Sequence, residues 1–343
     1  MRALVNPALD TAAVPSPSTD AIGFHAALAG YRPTPLRDLP PIAAELGLGA
    51  VALKDESDRL GLPAFKVLGA SWAVERALRD QSGARMLVAA SAGNHGRAVA
   101  RVAALRGLGC RIYLPAGSAP ARADAIAAEG ADVVVTGGHY EQAVEQATRA
   151  GGEPGAIEIA DVGESGPARW VVDGYQTLYA EIEAEGGCDV LLVPVGVGSL
   201  AAAAARYGAH AGAAVVGVEP ATAACLTASL AAGAPTAVAN PGTTMAGLNC
   251  SEISASAWPS LRDGIRGMVT VTDAEAHAAM RELAGAGLVI GECGAATAKI
   301  FTGSVLLKRH PREVRAANHN REMNRDSAFA SALEGWGLSL IHI

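Results

Sequence analysis

Apolar and polar positions change period repeatedly along the chain. The stretches RMLVAAS (85–91), CRIYLP (110–115), ADVVVTG (131–137), VLLVPVG (190–196) and AVVGVEP (214–220) are short apolar runs of strand length. Between and around them, apolar residues recur at helical spacing over about 96–108, 119–129, 140–149, 168–185 and 199–207. Upstream, AVALKDES (50–57) predicts a strand running into a polar loop, and a helix follows from residue 65 or 67 to 79. Downstream, GMVTVTDAEAHAAMRELAGAG (267–287) is again strand then helix, with Asp273 placed as the helix cap. Strands alternating with helices predict right-handed βαβ units and mostly parallel sheets, an α/β fold. Residues 1–35, with many Pro, Ser and Thr, are expected to be an irregular lead-in, and the last forty residues show no βα rhythm.

Composition narrows the functional classes. A chain of 343 residues, 50% hydrophobic, can bury a large core in two domains. A net charge of −7 without a basic block argues against nucleic acid. Five cysteines, scattered and without a CxxC pair, predict neither a disulfide framework nor a zinc site, and no metal is expected. Without a membrane-length apolar run or a leader pattern, the expected location is the cytoplasm.

Three short stretches carry candidate chemistry. In GLPAFKVLGAS (61–71) one lysine, Lys66, sits in an otherwise uncharged run. Lysine at such a position either snorkels its charge to water or is kept neutral and dry for Schiff-base chemistry. In SAGNHGRAVA (91–100) a strand passes through a small-residue turn into a helix. Backbone N–H groups at Ser91, Ala92, Gly93 and His95 suit a carboxylate there, and Asn94 adds an amide able to hold a ring oxygen. An ordinary βα turn with a structural histidine accounts for that stretch equally. In VPVGVGSLAAAAA (193–205), the amides of Gly196, Val197, Gly198, Ser199 and Leu200 would cradle one phosphate at a helix start. Neither GxxxxGK[ST] nor GxGxxG is present, so a nucleotide fits poorly. An amine, a carboxylate turn and a single-phosphate turn together describe a site for pyridoxal 5'-phosphate.

FKVLGAS, SAGNHGRAVA and VPVGVGS, in this order, resemble the tryptophan-synthase-β-like pyridoxal-phosphate enzymes, a group that includes threonine dehydratases and serine racemases. GYRPTPLRDLP, LKDESDRLGLPAFKVLGAS, GYQTLYAEI, GVEP, TTMAGLNC and GECGA are similar to segments of the diaminopropionate ammonia-lyases, so the likeness spans about residues 20–300. The resemblance implies two doubly wound α/β domains with the site in the cleft: residues 1–68 and 165–343 as the large domain, with 304–343 an atypical tail, and 69–164 as the small one. It implies Lys66 as the cofactor's attachment point, Asn94 on its ring oxygen, 196–200 on its phosphate and Ser331 on its ring nitrogen. Asp161, in IEIADVGES, matches the aspartate that takes the α-proton of the L-isomer, while Ala92 stands where a second aspartate serves the D-isomer. Cys293, in GECGA, is placed near the site in a packing role. The implied reaction is α,β-elimination of ammonia from 2,3-diaminopropionate, giving pyruvate and ammonia, L-selective, in a homodimer that takes a small amino acid. A serine or threonine dehydratase or racemase on the same fold, and a catalytically impaired cofactor-binding relative, are the alternatives.

Overall fold

The computed structural model describes residues 2–138, 140–302 and 339–342. Its strands are β1 (Arg2–Val5), β2 (Leu36–Asp38), β3 (Ala50–Lys54), β4 (Met86–Ala90), β5 (Gly109–Leu114), β6 (Asp132–Val135), β7 (Ala156–Glu158), β8 (Val190–Pro194), β9 (Ala214–Pro220), β10 (Ile265–Val271) and β11 (Ser339–His342). Its helices are α1 (Asp20–Ala26), α2 (Pro40–Leu46), α3 (Lys66–Asp80), α4 (Asn94–Leu105), α5 (Pro120–Ala127), α6 (Tyr140–Gly151), α7 (Pro167–Gly174), α8 (Gln176–Ala184), α9 (Ser199–Ala211), α10 (Cys225–Ala232), α11 (Trp258–Gly264), α12 (Asp273–Gly285) and α13 (Glu292–Thr302), with a 3₁₀ turn at Ala246–Leu248. None of the described helices is long and apolar enough to cross a membrane.

Two sheets organise these elements. The larger has the order β1-β10-β9-β8-β11-β3-β2, parallel except for the antiparallel edge strands β1 and β2. The smaller, β6-β5-β4-β7, is parallel throughout. Strands β8 and β9 are buried along their whole length, as expected of parallel strands covered on both faces. Five successive alanines, Ala201–Ala205 in α9, are fully buried, and their small side chains let the helix lie close on the sheet.

Several sequence expectations change. The lead-in is not wholly irregular: it supplies β1 at a sheet edge and α1. Part of the tail is a strand, since β11 runs parallel between β3 and β8. The single helix expected over 168–185 is two, broken at Tyr175, where Gly174 lies so close to α3 that an added Cβ would come within 2.7 Å of the Leu68 carbonyl oxygen. Asp273 does not cap α12. Thr272 does, in a capping box with Glu275, while the Asp273 carboxylate accepts hydrogen bonds from Thr243 Oγ1 and the Thr244 N–H.

A buried ionic cluster ties the N-terminal segment to α8. Glu181 accepts from Arg59 Nη1 at 2.6 Å and Nη2 at 2.8 Å, and its Oε2 lies 2.9 Å from Lys54 Nζ. Lys54 also donates to the Thr34 carbonyl at 2.7 Å, and Arg59 pairs with Glu56. Burial would raise the Glu181 carboxyl, but the Arg59 hydrogen bonds and charge hold it below its usual range.

Candidate active site

Lys66 opens α3 and is the only residue of the helix's first turn whose side chain can leave the core, since Val67, Leu68 and Gly69 are buried. Its Nζ donates to Asp161 Oδ2 at 2.9 Å, with side-chain exposures of 22% for the lysine and 14% for the aspartate. Asp161 follows β7, and its backbone carbonyl accepts from Ser199 Oγ at 3.2 Å. The glycine turn after β8 is therefore joined through one aspartate to the lysine. Two further bonds tie the same loop to the same turn: the Gly163 N–H donates to Ser254 Oγ at 3.1 Å, and the Ser254 N–H donates to the Val197 carbonyl at 2.9 Å.

Lys66 is not kept neutral here, as the Schiff-base reading of the sequence expected. Burial alone would lower its affinity for a proton, but the Asp161 charge outweighs burial and raises it above the ordinary lysine range. The reciprocal holds for Asp161: burial opposes ionisation, yet Lys66 keeps the carboxylate well below the usual range.

The second turn, after β4, approaches from the other sheet. α4 begins at Asn94, two residues earlier than the sequence pattern suggests, so the Asn94 and His95 amides lie in its first turn. Asn94 and Gly93 are exposed, Ser91 and Ala92 half-buried, and His95 buried. The Gly93 N–H donates to Ser91 Oγ at 3.3 Å, which draws the turn in. Gly96 is pressed so tightly that a Cβ there would sit 2.5 Å from the Ser91 carbonyl oxygen. His95 Nε2 lies 2.7 Å from the Ile159 carbonyl oxygen, and its Nδ1 lies 4.0 Å from Asp161 Oδ2. Of the residues singled out from sequence, Lys66, His95, Asp161 and Ser199 are linked through Asp161, and the rest of both turns borders them. Ser331 lies outside the described residues.

Three neighbours were not singled out from sequence. Tyr175, at the break between α7 and α8, is fully buried beneath Phe65, ring centroids 5.1 Å apart, and its hydroxyl finds no partner among the described residues. Gly69 makes room for it, since a Cβ there would stand 2.6 Å from Tyr175 Cε1. Burial first, then the Asp161 charge, pushes the Tyr175 phenol up to about 12 against the opposing Lys66 charge. Cys250 stands within the field of Asp161 and Lys66, and burial pushes its thiol up to about 12, so it is a neutral wall rather than a nucleophile. His25 supports α3 from behind: its ring nitrogens lie 2.7 Å from Thr177 Oγ1 and 3.0 Å from the Leu68 carbonyl oxygen. The signal for Tyr175 was present in the sequence, a Gly-Tyr pair inside a helical pattern. Cys250 was marked only by ending the family-like segment TTMAGLNC, and His25 carried no such signal.

The donor set fits pyridoxal phosphate. One amine is available at Lys66. The turn before α9 has no side-chain cap, leaving its N–H groups for an anion, and Gly198 takes φ +95°. A Cβ at Gly196 would stand 2.7 Å from the Gly247 carbonyl oxygen, so the turn admits nothing larger than glycine there. The unpartnered Tyr175 hydroxyl and His95 Nδ1 are buried polar atoms that await partners. Cys293 Sγ lies 3.2 Å from where a Cβ of Gly247 would stand, beside the segment packed on the turn after β8.

Comparison with known proteins gives the same answer. Residues 27–313 match the family model described as pyridoxal-phosphate dependent enzyme. The chain is 34% identical to the diaminopropionate ammonia-lyase of Salmonella typhimurium over 299 residues, 76% of this chain and 74% of that one. Among solved structures, Escherichia coli diaminopropionate ammonia lyase in complex with an aminoacrylate-PLP azomethine reaction intermediate superposes with a TM-score of 0.83 and 27% identity, covering 99% of this chain and 92% of that one. More distant is the biosynthetic L-threonine dehydratase of Corynebacterium glutamicum, 35% identical over 59% of this chain and 47% of that one.

Proposed function

The chain belongs to the pyridoxal-phosphate dependent enzymes, and we propose that within them it eliminates ammonia from L-2,3-diaminopropionate. The observation that carries this reading is the Lys66–Asp161 pair anchored by Ser199 to the glycine turn. It puts an attachment amine, a proton acceptor and an anion cradle within a few ångströms, at the junction of the two sheets. Likeness to the ammonia-lyases over three quarters of the chain supports the substrate class.

Lys66 would hold the cofactor, the amides of 196–200 its phosphate, and Asn94 its ring oxygen. When bound, the cofactor supplies an aldehyde that condenses with amines and a ring that draws electron density from the substrate's α-carbon. The turn 91–95 binds the substrate carboxylate through backbone N–H groups. Asp161 accepts the proton from Cα, and Cys250 and Tyr175 exclude water from that side. The electron pair of the Cα–H bond becomes the new C=C bond as the Cβ–N bond breaks and ammonia leaves. The released 2-aminoacrylate hydrolyses in water to pyruvate and a second ammonia.

Ala92 favours one stereochemistry. Its side chain packs, half-buried, against the main core and offers no proton acceptor where the family likeness implies a base for the D-isomer. The same alanine keeps a hydroxy-amino-acid dehydratase as the second reading. Turnover of L- and D-2,3-diaminopropionate and of L-serine decides between them. The proposal expects the L-isomer alone to be consumed quickly, with two ammonia per pyruvate. Fast use of the D-isomer overturns the selectivity, and serine turning over faster than L-2,3-diaminopropionate overturns the substrate. A homodimer, a cytoplasmic location and the division into 1–68 with 165–343 and 69–164 accompany this reading on the strength of the family likeness; sedimentation of the holoenzyme tests the dimer.

A further inference from the structure

His95 has two jobs to fill and only one filled. Its Nε2 faces the Ile159 carbonyl oxygen at 2.7 Å, and a carbonyl only accepts, so Nε2 carries the proton. In a neutral ring that leaves Nδ1 as a bare acceptor. Nδ1 is buried, has no hydrogen-bond partner among the described residues, and lies 4.0 Å from Asp161 Oδ2. A lone pair facing a carboxylate oxygen in a dry pocket is unfavourable unless a proton comes between them. In the resting pair Lys66 satisfies Oδ2 from the other side. Once Lys66 turns to the cofactor, His95 Nδ1 still stands 4.0 Å from that oxygen.

We infer that His95 is a positioning residue for proton abstraction, its Nδ1 accepting the hydrogen bond of Asp161 after the carboxylate has taken the Cα proton. This rests on the elimination reading above. In the step, the Cα–H bond breaks and the proton goes to Asp161 Oδ2. The new O–H donates to Nδ1, and the electron pair left at Cα forms the C=C bond while the Cβ–N bond breaks. The fold sets this up deliberately. The Ile159 N–H is bonded to Val88 of β4 at 2.8 Å, so the carbonyl that fixes the His95 tautomer is itself held by the sheet. The charged and titratable groups acting on His95 are Asp161 and Lys66, and Asp161 in turn faces Tyr175, Tyr140 and Cys250. Burial keeps the ring neutral at rest by lowering its proton affinity, the Lys66 charge lowers it further, and Asp161 opposes both.

His95→Gln separates this role from a structural one. Glutamine keeps an N–H donor for the Ile159 carbonyl and lacks an acceptor where Nδ1 sits. In the holoenzyme it is expected to retain the wild-type melting temperature and cofactor absorbance, and KM within a factor of two. Its kcat on L-2,3-diaminopropionate should fall about 10- to 100-fold, with a larger isotope effect for α-deuterated substrate and a shifted acid limb of the kcat profile. Unchanged kcat, isotope effect and profile overturn the inference. If the variant fails to fold, nitrogen NMR of the wild-type imidazole decides: the Nε2–H tautomer supports the inference, and an Nδ1–H resting tautomer overturns it. Wild type eliminating, Asp161→Asn inactive and His95→Gln unaffected strikes His95 alone. A wild type that releases no ammonia, or an Asp161→Asn variant with full kcat, strikes the functional reading and the inference with it.

Discussion

Replacing Asp161 by asparagine should make the apoprotein capture its cofactor faster, although it removes the proposed proton acceptor. A lysine attacks an aldehyde only as the neutral amine, and in the wild type the neutral form is suppressed by the ion pair at 2.9 Å. At an effective dielectric of about 20, that separation corresponds to about 6 kcal/mol of attraction. The two side chains keep 22% and 14% of their exposure, so solvent screening brings the figure to about 3 kcal/mol. Every 1.36 kcal/mol is a factor of ten, so the neutral fraction of Lys66 in Asp161→Asn should rise about 100-fold at neutral pH. With Asp161 gone, burial loses its main opponent and favours the uncharged amine. The assay mixes apoprotein with pyridoxal phosphate, follows visible absorbance, and confirms attachment at Lys66 by borohydride trapping, with Lys66→Ala as the blank. Between pH 6 and 9 the wild-type rate should climb about tenfold per unit, because the lysine stays an ammonium throughout. A variant no faster than wild type, or a wild-type rate flat with pH, refutes the pairing as the control on capture.

Glu219 is fully buried, and burial pushes its carboxyl up to about 7, against bonds from the Leu226 and Thr227 N–H groups. A raised folded value means stability present below about 4.5 and lost as pH rises through 7, so wild type should lose about 3 kcal/mol relative to Glu219→Gln across that window, read by urea unfolding. Glu181→Gln should cost about 3 kcal/mol, the low end for a broken buried pair because Glu56 still serves Arg59, seen as a lower urea midpoint at unchanged slope. Gly198→Ala forces a Cβ onto φ +95° and to 2.6 Å from Leu261 Cδ1; it should cost about 1–2 kcal/mol for the backbone alone and weaken cofactor binding by fluorescence titration.

What could be read from sequence was what repeats locally. The alternation of apolar runs and helical spacing located β3, β4, β5, β6, β8, β9 and β10 and the helices α3, α4, α5, α6, α9 and α12, because each such element shows its period within one window, but it left α10 after β9 unread. β7 has three residues, too few to display a period, and β11 takes its place from partners far away in the chain, Ala50–Leu53 and Val190–Leu192. The break at Tyr175 had only the Gly-Tyr pair to mark it, and its cause, Gly174 meeting α3, lies in tertiary packing. The same division holds at the site. Lys66 and the two turns stood out because their chemistry is contiguous, whereas Tyr175 and Cys250 join them only through tertiary approach. Even the reading of Lys66 needed its distant partner: 95 residues separate it from the carboxylate that makes it a charge.

That partner gives Asp161 two successive states, and the order matters for the chemistry. While Lys66 is an ammonium, Asp161 is an ion-paired carboxylate with a proton affinity held well below normal, too weak a base to take a proton from carbon. The charge that suppresses it is the one removed when the lysine is committed to the cofactor. Loading the site therefore raises the basicity of Asp161, because burial, which opposes the ionised form, is then less fully compensated. On the proposed reading, one acid at this position and alanine at 92 would keep a stable ion pair before loading and leave a stronger base after it. Under the proposed roles, the lone pair at His95 Nδ1 then has a proton to face, and the proposed L-selective transfer calls for no second carboxylate.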